Sequence, residues 1–205
     1  MLRTFRLQIN LELVSVMIVG KMTEAEDFWT SAVKSLHGAT KRAEITLQEV
    51  AAPNRLAPFA LALTAELNFA EQELAGGKFV LLYDPDGQLA WGGELRVVTF
   101  MNAAIEPDVV TDQMFDEVAW SWLTESLAIS SAEYTNLSGT ITRTVSRSFA
   151  ELSDRVQETN LEVRASWTAQ SAHLAPQLTA WCSLLEQAAG LEPLPEGVTQ
   201  LKRGQ

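Results

Sequence analysis

Phe59-Ala60-Leu61-Ala62-Leu63-Thr64-Ala65-Glu66-Leu67 is the stretch on which the fold turns. Its odd positions hold Phe, Leu, Leu, Ala and Leu, and its even positions hold small or polar residues. Successive side chains of a strand point to opposite faces, so this period of two marks a half-buried strand with its odd face on a core. Upstream, Ala52-Pro53-Asn54-Arg55-Leu56-Ala57-Pro58 is an extended linker, because each proline disfavours helix at the residue before it. Ala43 to Val50 precedes it as a short strand. Downstream, Phe79 to Tyr83 is a wholly apolar strand, and Asp84-Pro85-Asp86-Gly87 is a type I turn with glycine supplying a positive φ. Glu94 to Asn102 is then the returning arm of a hairpin. The pairs Gly76-Gly77 and Gly92-Gly93 flank these strands and suit turns or bulges.

Helical patterns surround this run of strands. Thr23-Glu24-Ala25-Glu26 has the form of a capping box. Phe28, Trp29, Ala32, Val33 and Leu36 follow as one stripe, and Gly38 is placed as a stop, which predicts a helix over 24–37. Thr111 or Asp112 caps a central helix that runs to Ile129, with Asp116 and Glu117 at its positive end. Tyr134 to Phe149 is a long strand. Ile141, Arg143, Val145, Arg147 and Phe149 lie on one side of it, and Thr140, Thr142, Thr144, Ser146 and Ser148 on the other. Leu161, Val163, Ala165 and Trp167 alternate with Glu162, Arg164, Ser166 and Thr168 in another strand. A last helix starts near Ala175-Pro176, carries Leu174, Leu178, Trp181, Leu185 and Ala188 on one face, and stops at Gly190.

The order is helix, three or four strands, helix, two strands, helix. It predicts an α+β fold with a mainly antiparallel sheet and helices packed on it. With helices on one face, the hydroxyl side of residues 140–148 becomes the exposed or pocket-forming side. Residues 23–190 form the expected single domain. Residues 1–22 read as an extension with Met22 as the expected true start, an added strand being the alternative. The apolar run Leu11–Gly20 is too short to cross a bilayer. Residues 191–205 are a tail rich in Pro and Glu.

Charge narrows the function classes. The chain of 205 residues carries a formal net charge of −11. Residues 103–135 contain seven acids and no base, a surface that repels a phosphate backbone. The bases of 136–170 are all arginine (Arg143, Arg147, Arg155 and Arg164) and are matched by as many acids, which favours ion pairs over an anion patch. Direct nucleic-acid and membrane binding are therefore not expected. A single cysteine, Cys182, excludes an internal disulfide and any multi-cysteine zinc site, and the two histidines, His37 and His173, show no ligand spacing. No phosphate-binding glycine loop, nucleophile elbow or EF-hand loop is present, so no catalytic residue, metal or cofactor is expected. The expected location is the cytoplasm.

The central helix holds the strongest candidate surface. On a helical wheel Val110, Met114, Val118, Trp122 and Ile129 share an arc, Glu125 lies at its edge, and Trp120, Leu123 and Leu127 fall opposite. Such a surplus of apolar surface means burial on two sides, a partner surface or a pocket wall. In the first reading Trp120 and Trp122 are core. In the second, Trp120 and its neighbours form an interface, through self-association or a protein partner. Glu125 is either a structural carboxylate or, with Arg164 and the hydroxyl face that includes Thr142, part of a polar site in a small enzyme or ligand binder. Asn54 and Arg55, held between prolines, either clamp a partner carboxylate or cap a strand end.

Several stretches resemble an actinobacterial family known only as domain of unknown function number 3000. They are Pro53-Asn54-Arg55-Leu56-Ala57-Pro58, Leu81-Leu82-Tyr83-Asp84-Pro85-Asp86-Gly87, Glu117-Val118-Ala119-Trp120-Ser121-Trp122-Leu123-Thr124-Glu125, Tyr134-Thr135 with Ser138-Gly139-Thr140, Arg164-Ala165-Ser166-Trp167-Thr168, and Ala189-Gly190-Leu191-Glu192-Pro193-Leu194-Pro195-Glu196-Gly197-Val198. The resemblance covers about residues 28–198 and implies no activity, cofactor or catalytic residue. Genes of that family often lie beside a ribonuclease-D-like exonuclease, and the resemblance thus implies an accessory role in RNA processing through a protein partner. In topology alone the order of elements is similar to type III secretion chaperones and sensory regulators, which bind proteins. The leading expectation is a non-catalytic, acidic protein-binding or regulatory module.

Overall fold

The computed structural model describes residues 21–191 except 71, 108, 110, 111, 155 and 156. The expectations for residues 1–20, the tail beyond 191, Val110 and the Thr111 cap fall outside the described residues. Among the described residues six strands form one antiparallel sheet: β1 (Ile45–Val50), β2 (Phe59–Phe69), β3 (Gln72–Gln88), β4 (Gly93–Ala104), β5 (Tyr134–Ser146) and β6 (Glu158–Ala169). Their spatial order is β1-β2-β3-β4-β6-β5. Helices α1 (21–35), α2 (Phe115–Ile129) and α3 (Ala175–Ala188) complete an α+β fold with helices packed on the sheet.

The period of two decides which face is covered. Leu61, Ala65 and Leu67 of β2, Phe79 and Leu81 of β3, Val97 and Met101 of β4, and Leu161, Val163 and Trp167 of β6 share one core with Leu123 and Leu127 of α2 and Trp181 and Leu185 of α3. Burying this much apolar surface is the dominant stabilising term. Trp167 Nε1 donates to Gln177 Oε1 at 2.7 Å, and Gln177 Nε2 donates to Glu133 O at 3.0 Å, so the two deep polar groups pair with each other and with backbone. Even positions face the other way. There a small second cluster of Ala62, Val80 and Leu82 is partly covered by Ala52 and Ala57 of the β1–β2 connection and by Trp91.

Four local expectations are corrected. Thr23 lies inside α1, which is already helical at residue 21, so it is not the first cap. The β3–β4 chain reversal falls at residues 89–92, where Trp91 N and Gly92 N both bond to Gln88 O. Asp84-Pro85-Asp86-Gly87 is instead an irregularity within β3, with Asp86 N donating to Asp84 Oδ1 and Gly87 at φ +69°. Gly76 and Gly77 are inside the β3 ladder. A Cβ on Gly77 would sit 2.3 Å from Phe100 O and 3.0 Å from the Trp181 ring, so glycine is there to admit the indole of α3. Finally, α2 starts at Phe115; before it Met114 N donates to Asp112 Oδ1 at 2.8 Å.

Candidate functional site

Helix α2 packs chiefly on α3. Gln187 of α3 donates to Ser126 Oγ at 2.8 Å, which ties the two helices by a side-chain bond. Phe115, Ala119, Leu123, Ser126 and Leu127 form the buried arc. The other arc faces out: Met114 is 61% exposed, Val118 43% and Ile129 83%. Met114 and Val118 are one turn apart and Ile129 lies three turns further along the same line, with exposed Glu125 in that line between them and exposed Glu117 beside it.

The two indoles behave differently from an interface pair. Trp120 and Trp122 are both half-buried and pack against the core. A Cβ on Gly139 would lie 2.6 Å from Trp120 Cζ3, so the Trp120 ring rests on the bare backbone of β5. Trp122 meets Phe115 edge to face at a centroid distance of 5.9 Å. Arg143 anchors the same end: its Nη2 donates to Asp116 Oδ2 at 3.0 Å, and its guanidinium lies over Phe115.

Glu125 and Arg164 are not brought together. Glu125 is exposed on α2, on the helix-bearing side. Arg164 is an even position of β6 and projects from the opposite face, where its Nε pairs with Glu162 Oε1 at 2.8 Å and its guanidinium lies over the Phe100 ring. Thr142 does share that face, since it is paired with Glu162 in the β5–β6 ladder. Asn54 and Arg55 are exposed in the β1–β2 connection, with Arg55 at φ +76°.

The open face contains an arrangement that single-residue reading missed. A shallow trough of about 530 Å³ crosses β3, β4, β6 and β5, with Val80, Val98 and Phe100 as an apolar floor and Lys78, Ser138, Thr140, Arg164 and Ser166 around it. Beside it Arg96 is only 8% exposed. Its Nη1 donates to Asn136 O at 3.0 Å and Thr168 Oγ1 at 3.1 Å, and its Nη2 to Ser166 Oγ at 2.6 Å. All three acceptors are neutral. Burial lowers the pKa of this guanidinium below its ordinary value. The available signal was a lone base in the apolar run Leu95–Val98.

Among the described residues no group of three or more His, Cys, Asp or Glu could hold a metal ion, and no helix is long and apolar enough to cross a membrane. Cys182 is buried on α3, and burial pushes its thiol up to about 12.

Fold and surfaces together define an α+β protein with helices covering one face of a single antiparallel sheet and a basic, partly apolar trough on the other. The profile of a family described as protein of unknown function DUF3000 matches residues 25–199, and the chain belongs to this family. No curated protein and no solved structure matches the chain.

Proposed function

We propose that this protein is a non-catalytic binding module that receives a basic, amphipathic segment of a protein partner on the outer face of α2. The observation that carries the reading is the solvent-facing stripe of Met114, Val118 and Ile129 on a helix whose opposite arc is already buried. Exposed apolar residues aligned on one helix face are what a docking helix covers, and here they give one anchor pair at Met114 and Val118 and a third anchor at Ile129. Glu125 lies among these residues and Glu117 beside them, and residues 103–135 contain no base, so charge selects a basic partner. Pairing of two copies through this face would set the same carboxylates against each other, in a chain of net charge −11.

The test is affinity capture with the full chain, compared with Val118→Asp/Ile129→Asp and Glu117→Lys/Glu125→Lys. Both double variants should keep the wild-type melting midpoint, because the positions are exposed, and both should lose the same captured protein. A synthetic peptide of that protein's basic amphipathic segment should bind the wild-type chain and weaken with added salt. Retention of every captured protein by both variants defeats the reading. So does a wild-type homodimer that the variants dissociate, which would assign the stripe to self-association.

A further inference from the structure

The uncovered face of the sheet carries a second surface, independent of α2. Val98 lies on β4, a central strand, yet is 38% exposed, with half-buried Phe100 two positions on along the same face. The small cluster around Val80 and Trp91 covers one side of this face and meets the trough at Val80, leaving Val98 and Phe100 outside it.

We propose that the trough binds a small amphipathic organic anion: a flat apolar body with one carboxylate head. The floor of Val80, Val98 and Phe100 is an open apolar surface along adjacent strands, and the volume of about 530 Å³ falls within the usual range for small-molecule sites. The lining holds Lys78 and Arg164 and no acid, in a chain that is strongly acidic overall. Glu162 pairs with Arg164 at the rim, and Glu66 sits on this face one row beyond Lys78. Lys78 is exposed to water, so Arg96 is the cation whose charge solvent screens least, and a single negative charge matches it.

The hydroxyls give the direction. Thr168 accepts from Arg96 and passes its own hydrogen to Trp91 O at 2.5 Å. Ser166 also accepts from Arg96, but among the described residues nothing accepts the Ser166 hydrogen. Ser166 lines the trough. The buried guanidinium therefore fixes Ser166 as a donor and polarises it, leaving a charge-assisted contact for an incoming carboxylate.

The experiment titrates the ¹⁵N-labelled full chain with 2-naphthoate and with its uncharged counterpart 2-naphthalenemethanol, read by amide chemical shifts. Naphthoate should give saturable shifts at Val98, Phe100, Gly139 and Ser166, with the alcohol at least tenfold weaker, a difference of about 1.4 kcal/mol. Ser166→Ala should weaken naphthoate about five- to tenfold and leave the alcohol unchanged. Val98→Glu, at an exposed position, should abolish naphthoate binding while the melting midpoint holds. The proposal is overturned if naphthoate gives no saturable shifts at millimolar concentration, if the shifts lie elsewhere, if the alcohol binds equally, or if Ser166→Ala leaves the naphthoate-to-alcohol ratio unchanged.

Discussion

Replacing Trp120 by Ala tests whether this indole seats α2 on the sheet or serves a partner. The ring edge rests on Gly139, where an added Cβ would fall 2.6 Å from Cζ3 and 3.0 Å from Cη2. Truncating a fully buried Trp costs about 3–5 kcal/mol, and Trp120 is half-buried, which puts the expected loss at roughly 2–3 kcal/mol. For a chain of this length each kcal/mol moves the midpoint by about 2–4 °C, so the variant should melt roughly 5–10 °C lower. Thermal unfolding by far-ultraviolet circular dichroism reads it directly. Met114→Ala and Ile129→Ala, exposed on the same helix, are the controls and should stay within about 0.5 kcal/mol of wild type. Gly139→Ala approaches the same contact from β5. It should cost about 1–3 kcal/mol by overpacking. In the Trp120→Ala background the loss should shrink by at least about 0.5 kcal/mol, since the ring is gone while the 2.3 Å approach to Arg164 O remains. A Trp120→Ala midpoint no lower than the controls, or strict additivity with Gly139→Ala, refutes the seating argument.

Three other outcomes follow from the interior. Gln177→Leu removes the partner of the buried Trp167 indole N–H and of Glu133 O, and should cost roughly 2–3 kcal/mol in urea denaturation; a loss below about 0.5 kcal/mol contradicts the pairing. Cys182, its thiol held near 12 by burial, should react with a thiol reagent at pH 8 only as fast as the whole chain unfolds, and rapid stoichiometric labelling in native buffer would count against its placement. Burial raises the Glu186 carboxyl above its ordinary value, against the weaker opposing effect of the Arg42 N–H. Its folded form therefore holds a proton more readily than the unfolded chain, so its contribution is full below the ordinary glutamate range and is lost as pH rises through the raised value. Glu186→Gln should gain stability relative to wild type between about pH 4 and pH 7, and a pH-independent difference between the two would contradict it.

Much of the fold is legible in residue order because backbone sterics make it local. The odd faces of β2 and β6, the apolar face of α3 and its end at Gly190 (φ +69°) all follow from period, proline and glycine. The hydroxyl side of β5 was likewise legible as the uncovered one, because helices on one face leave the other to solvent. What residue order could not settle is every choice between locally equal options. Two arcs of α2 are about equally apolar, and only its docking on α3 and β5 buries Leu123 and Leu127 and leaves Met114, Val118 and Ile129 outside. Asp84 to Gly87 has turn chemistry, but the chain turns at residues 89–92, since the ladder continues to the Gln88–Gly93 pair. Gly77 resembles a turn residue and is a gap for Trp181. Arg96 draws no notice as a lone base in an apolar strand. Its role depends on Asn136, Ser166 and Thr168, residues 40 to 72 positions away that only cross-strand pairing brings within hydrogen-bonding distance. Local sterics determine the elements; long-range packing determines which of their faces remain available for recognition.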